Sequence, residues 1–268
     1  MKHINQFITE YIIKKKLDKP INSETKNYLY HPETKPELST IIKKLLKDNQ
    51  TDLNVIDVSK ITNMSDLFSQ INENKKITNI DISEWDVSNV TNMENMFFGC
   101  SKFNCDLSDW NVSNVEDMIG MFQNCQNFTG KGLEKWNVSN VKNMFSTFDY
   151  CTSFTGKGLE KWDVSNVENT SFMFTGFVKF DCDLSNWDVS KVTNMNYMFY
   201  NCENFDCDLS KWDVSNVLNM ICMFGNCKNF KGIGLDNWNV SKVKHMQNML
   251  NGCKSIIKKP KWYRFKIK

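Results

Sequence analysis

Histidine is scarce in this chain, three in 268 residues, and no stretch approaches the eighteen or so apolar residues of a membrane span. The first twenty residues, MKHINQFITEYIIKKKLDKP, lack the unbroken apolar run and small-residue cleavage site of a secretory signal, because Asn5, Gln6, Thr9 and Glu10 interrupt it. Export by the usual route is therefore not expected, and a cytoplasmic setting is. Neither G-x-G-x-x-G nor a Walker lysine entering a helix occurs, which removes the phosphate-cradling loops. A net charge of +2 gives no global pull toward nucleic acid or membrane. That balance hides a segregation: residues 1–50 sum to +4, residues 254–268 carry seven basic and no acidic side chains, and residues 51–253 sum to −9.

What is present is a repeat. Tryptophans stand at 85, 110, 136, 162, 187, 212 and 238, always 25 or 26 residues apart. Ile56 takes their place in an earlier copy and Trp262 opens a partial one, so there are eight full copies. The 26-residue copies always bring G-x-G, as in FTGKGLEKW, where the 25-residue copies read FNCDLSDW. Glycine lets the backbone bulge so that an extra residue is absorbed without moving the flanking columns.

Within a copy, Val90, Met93, Met96, Phe97 and Cys100 fall at offsets 0, 3, 6, 7 and 10, one face of a short helix, with Ser88 as N-cap. KFNCDLSDW and KITNIDISEW alternate like strands. Strand then helix in every copy predicts an α/β fold, a right-handed leucine-rich-repeat-like solenoid with a parallel sheet on one face and short helices on the other. A lone copy buries too little to stand by itself, so stability must come from neighbours.

The unit F-x-x-D-L-S-x-W-D-V-S-N-V-T-N-M-x-x-M-F-x-x-C resembles the repeat of BspA-like leucine-rich-repeat surface proteins, including their mycoplasma-type variant of unknown function. The resemblance covers residues 52–253. It implies a leucine-rich-repeat-like solenoid, a cell-surface or virion location and, for surface members, adhesion to host proteins. It carries over no catalytic residue.

Residues 1–50 are expected to be helical. One helix spans 2–18 with Ile4, Phe7, Ile8, Tyr11 and Ile12 on one face. A second starts near Pro36, with Leu38, Ile41, Ile42, Leu45 and Leu46 aligned, and caps the array of residues 51–253. The first helix either joins that cap or serves as a handle for a partner. Residues 254–268, rich in Lys and containing Pro260, blunt the other end.

Cysteines 100, 125, 151, 202, 227 and 253 form one column, with Phe177 in the missing place, and Cys105, Cys182 and Cys207 a second. They are read as reduced, packed thiols. With C-x4-C spacing and so few histidines, no metal is expected. Recurrent Asp residues before and after the tryptophan are assigned to turns. Asn63, Asn92, Asn143, Asn169, Asn194 and Asn219 suggest a side-chain hydrogen-bond ladder in which Asp117 and His245 are substitutes. No Cys–His or Ser–His–Asp grouping stands apart from the repeat. The expectation is therefore a non-enzymatic, cofactor-free scaffold that binds another protein through varying positions on the exposed sheet face: Lys102, Asn104, Ser108, Asp109, Asn186 and Lys211. The alternative is a structural or assembly component attached through the N-terminal helix or the basic tail.

Overall fold

The computed structural model describes residues 26–71 and 79–263. The expected helix over 2–18 lies outside them, as does the end of the basic tail.

The array forms by stacking of successive copies, here called coils 1 to 8. In each coil one position pairs with its counterpart in the next, in parallel: Asn63 with Asn92, then Asp117, Asn143, Asn169, Asn194, Asn219 and His245. We call this the ladder position. The tryptophans lie in file, with Trp110 and Trp136 rings 6.3 Å apart and 1° from parallel, and Trp212 and Trp238 6.5 Å apart at 0°. Each indole N–H donates to a carbonyl of the preceding coil, Trp136 to Leu107 and Trp162 to Leu133, for example. A buried indole therefore never leaves its polar atom unpaired.

The expected leucine-rich-repeat architecture is overturned. Among the described residues the repeats contain no parallel sheet, only single-residue pairings, and no α-helix behind it. The reason lies in the eight residues that follow the ladder position. In every coil the third of these has a positive φ, from Asp66 (53°) through Phe172 (60°) to Asn248 (57°), and from coil 2 onward so does the seventh, from Gly99 to Gly252. Left-handed residues at this interval interrupt both a strand and an α-helix.

The consequence is an alternation of amides. One set closes three-residue turns inside the coil, such as Met96 N to Met93 O, Phe98 N to Asn95 O and Cys100 N to Phe97 O. The other set points along the stack: Met93, Asn95, Phe97 and Gly99 donate to the carbonyls of Asp117, Ile119, Met121 and Gln123. The buried residues Val90, Met93, Met96, Phe97 and Cys100 do share one side, as their spacing predicts. They do so because each turn is three residues long. Ser88 is not an N-cap; its N–H donates to Asp86 Oδ1 at 3.0 Å.

The glycine pairs of the long coils sit in left-handed conformations, Gly130 and Gly132 at 80° and 98°, Gly232 and Gly234 at 77° and 91°. Gly132 and Gly234 press against the backbone of Ser108 and Ser210 in the coil before. Short 3-10 turns follow them at Leu133–Lys135 and Leu235–Asn237.

At the N-terminal end, α1 (Lys35–Lys47) forms where expected. Thr34 caps it by accepting from Glu37 N, Pro36 occupies the first turn, and Lys44 and Lys47 lie in the last. Leu38, Ile42, Leu45 and Leu46 are buried in the same core as the repeats. No helix among the described residues is long and apolar enough to cross a membrane.

Candidate protein-binding faces

Two edges of the coil carry side chains outward. The first is the loop between the cysteine and tryptophan columns, where the candidates from sequence lie. Lys102 and Asp109 are exposed there, and Asp109 borders a shallow groove with Lys26, Glu84, Trp85, Asp86 and Asn111. The other candidates are engaged with the fold itself. Asn104 Oδ1 accepts from the backbone N and Oγ1 of Thr129 in the next coil, at 3.0 and 2.8 Å. Ser108 donates through N and Oγ to Asp106 Oδ1, and Asn186 Oδ1 accepts from Lys211 Nζ at 2.7 Å. Sequence variation at these positions is therefore in part a record of matched pairs between coils. The Lys131 ammonium, 2.7 Å from Asp106, and the Ser108 hydroxyl hold the Asp106 carboxyl down at about 2.

The second edge is the ladder segment. Its Asn column is not a ladder of side chains, as expected, but of backbones. From Asn63 to Asn194 each side chain folds back on its own turn: Asn92 Oδ1 accepts from Glu94 N, Asp117 Oδ1 from Ile119 N and Asn143 Oδ1 from Phe145 N, whereas in coil 7 the Ile221 amide donates to Asn196 Oδ1 of the coil before. An Asx turn of this kind uses only an Oδ1, so aspartate serves as well as asparagine. The Asp residues after the tryptophan do the same for the serine two places on, in agreement with their expected turn role.

On this edge, coils 4 to 6 carry aromatic side chains that the sequence reading did not single out. Phe145 is 36% exposed and Tyr150 44%. Phe145 meets Phe172 edge to face at 5.6 Å, Phe172 stacks on Tyr197 at 4.7 Å, and Tyr197 meets Tyr200 at 5.5 Å. Tyr150 lies over Gly176 of the next coil, and Tyr200 over Gly225. Tyr150, Phe172 and Tyr197 have φ of 57°, 60° and 56°, a conformation costing a bulky side chain about 1–2 kcal/mol. Most other coils place Asn, Gly, Asp or Ser at these points, and that departure was the available signal.

Beneath this file the core turns polar. Thr147 and Thr170 replace methionines of two otherwise apolar columns, and Ser146, Ser171, Thr175 and Asp149 are buried with them. Asp149 Oδ2 accepts from Gln123 Nε2 at 2.8 Å, whereas its buried Oδ1 has no hydrogen-bond partner. Burial pushes the Asp149 carboxyl up to about 6, against the opposing pull of Gln123.

All ten cysteines are free thiols. The first column packs as expected, with Cys125, Cys151, Cys202, Cys227 and Cys253 each directing Sγ at a phenylalanine carbonyl of the preceding coil. Burial pushes Cys100 up to about 12, which keeps it protonated and unreactive. Among the described residues no three His, Cys, Asp or Glu side chains gather as a metal would require.

A stack of near-identical turns with an outward aromatic file defines a repeat protein. The family model described as Mycoplasma protein of unknown function, DUF285, matches it twice, over residues 37–158 and 143–262, and the chain belongs to that family. No curated protein matches it. Among solved structures, a plant peptide hormone receptor, RGFR1, in complex with RGF2, aligns over 86% of this chain and 45% of its own, at 9% identity and a TM-score of 0.31. The chain thus spans less than half of that receptor chain, and a likeness this distant carries no argument.

Proposed function

We propose that this chain is a non-enzymatic protein-binding scaffold whose principal contact surface is the aromatic file of Phe145, Tyr150, Phe172, Tyr197 and Tyr200. The partly exposed rings at strained backbone positions carry this reading. Aromatic side chains dominate the energetics of protein interfaces, and strain borne by bulky residues concentrates at functional places. A stack of coils holds such a file rigid before any partner arrives, which lowers the ordering cost of binding. Lys102 and Asp109, on the loop between the cysteine and tryptophan columns, make a smaller polar surface. Adhesion-like capture of a host protein, the role implied by the BspA-like resemblance, is the finer form of the same proposal.

The test is affinity capture from native cells with the intact chain, read by mass spectrometry, beside two double variants. Phe145→Asp with Tyr150→Asp should lose the captured partner while the thermal midpoint stays within a few degrees. Lys102→Glu with Asp109→Lys should keep it. The reverse result would move the contact to the loop edge, and retention by both variants would remove both faces.

A further inference from the structure

Asp149 occupies the sixth place after the ladder position. In coils 2 and 8 that place is exposed, as Phe98 and Asn251, so it belongs to the outer edge of the stack and not to its interior. Asp149 itself is only 6% exposed. Phe145 and Tyr150, on either side of it in the same turn, are the most exposed rings of the aromatic file. Gln123 reaches across from coil 3 to Oδ2, and among the described residues nothing donates to Oδ1.

A buried carboxylate ordinarily accepts from several donors or faces a cation. Here no group packed around it carries positive charge. Coil 3 supplies Gln123 and Asn124, coil 5 supplies Thr175 and Gly176, and the turn itself supplies Ser146, Tyr150 and Cys151, of which only the last two titrate. Lys142, beside the ladder position of the same coil, is engaged with Glu116 at 2.6 Å. At neutral pH the Asp149 carboxyl, pushed up to about 6, is ionised, and one of its oxygens is unmet.

An unmet anionic acceptor flanked by two exposed rings suits a basic side chain. A guanidinium offers donors in a planar fork and packs on aromatic faces, so one group meets both demands. A neutral donor would satisfy the oxygen and leave the charge. The repeats, at −9 over residues 51–253, also draw basic segments toward them and repel acidic ones.

We propose that the aromatic file recognises its partner through a basic side chain, best an arginine, whose guanidinium donates to Asp149 Oδ1 and packs against Phe145 and Tyr150. The assignment rests on the file as the contact surface and adds the chemistry that it selects.

The probe is a fluorescein-labelled tri-arginine peptide, with tri-citrulline as its uncharged equivalent, titrated into the full chain and followed by NMR of the backbone amides. Tri-arginine should shift the amides of residues 145–151, and tri-citrulline should bind at least about tenfold more weakly. Asp149→Asn removes the charge at nearly unchanged shape and should weaken tri-arginine by about tenfold or more. Asp163→Asn removes the same charge from coil 5 while preserving its turn, and should change the affinity by less than about twofold. Unchanged spectra outside coil 4 show that each variant is folded. Because arginine stays charged throughout, the affinity should fall as Asp149 takes up its proton between about pH 7.5 and about pH 5, and Asp149→Asn should flatten that dependence. Equal weakening by the two substitutions would mean attraction to the acidic repeats alone and overturn the proposal. Tight binding of tri-citrulline, or an affinity that rises in acid, would do the same. A captured native partner that needs Phe145 and Tyr150 but not Asp149 would leave the file as the contact surface and remove the basic side chain.

Discussion

A methyl group added at Gly132 would lie 2.3 Å from the backbone nitrogen of Ser108, whereas one added at Gly99 meets nothing within 4 Å. Both residues are left-handed, at 98° and 74°. Gly99→Ala should therefore cost only the conformational penalty, about 1 kcal/mol, and Gly132→Ala several times that, because backbone cannot move aside as a side chain can. Urea denaturation of the two variants checks the ratio. Asp149 and Asp106 make opposite demands on pH. The folded Asp149 carboxyl, near 6, holds its proton more tightly than in the unfolded chain. Its effect is to make stability fall as pH rises from about 4 to 6. Asp149→Asn should abolish that fall, seen by comparing denaturation midpoints at the two ends of the window. Asp106, held at about 2 by Lys131 and Ser108, stabilises above the unfolded carboxylate value near 4, and its contribution fades as pH drops toward 2.

At the scale of elements, the sequence reading and the structure part company over one number. An apolar residue every third place suits a helical face over a short window, and it equally suits a run of three-residue turns. Nothing in Val90, Met93, Met96 and Cys100 separates the two. The residues between them did hold the answer: Asn95, Gly120 and Asn248 recur at one point, and Gly99, Asn124 and Asn201 at another, all types that tolerate positive φ. Phe172 and Tyr197 at the same point blurred the signal. The columns, the glycine insertions, the cysteine packing and α1 were legible because each depends on side-chain type at a fixed interval. The direction of the amides was not, because it is set by backbone rotation that no side chain names. The aromatic file was visible only as a departure from the repeat. For α1, Leu38→Asp with Ile42→Asp should detach the helix and open the acceptor edge of coil 1. Amide hydrogen exchange should then be fast over residues 38–46 while the amides of residues 93–99 stay protected. Continued protection of residues 38–46 would mean that the helix holds without these two side chains.

Seen whole, the molecule separates its tasks by position. Rings and thiols fill the interior column by column, the ladder edge carries the aromatic file, and charge is divided between an acidic middle and a basic tail. Rows of Lys with Glu, Asp or Asn join neighbouring coils on the outside, as in Lys142 with Glu116 and Lys228 with Glu203. Being exposed, such pairs contribute little each.

Because every junction from coil 2 onward uses the same set of backbone donors and acceptors in the same orientation, a unit taken from one place presents upper and lower surfaces that suit almost any other. Excising or duplicating a whole unit would leave a junction of the kind already there. The array is modular in the sense of masonry: its height is adjustable by single courses, and only the bespoke coils 4 to 6 and the two ends resist exchange.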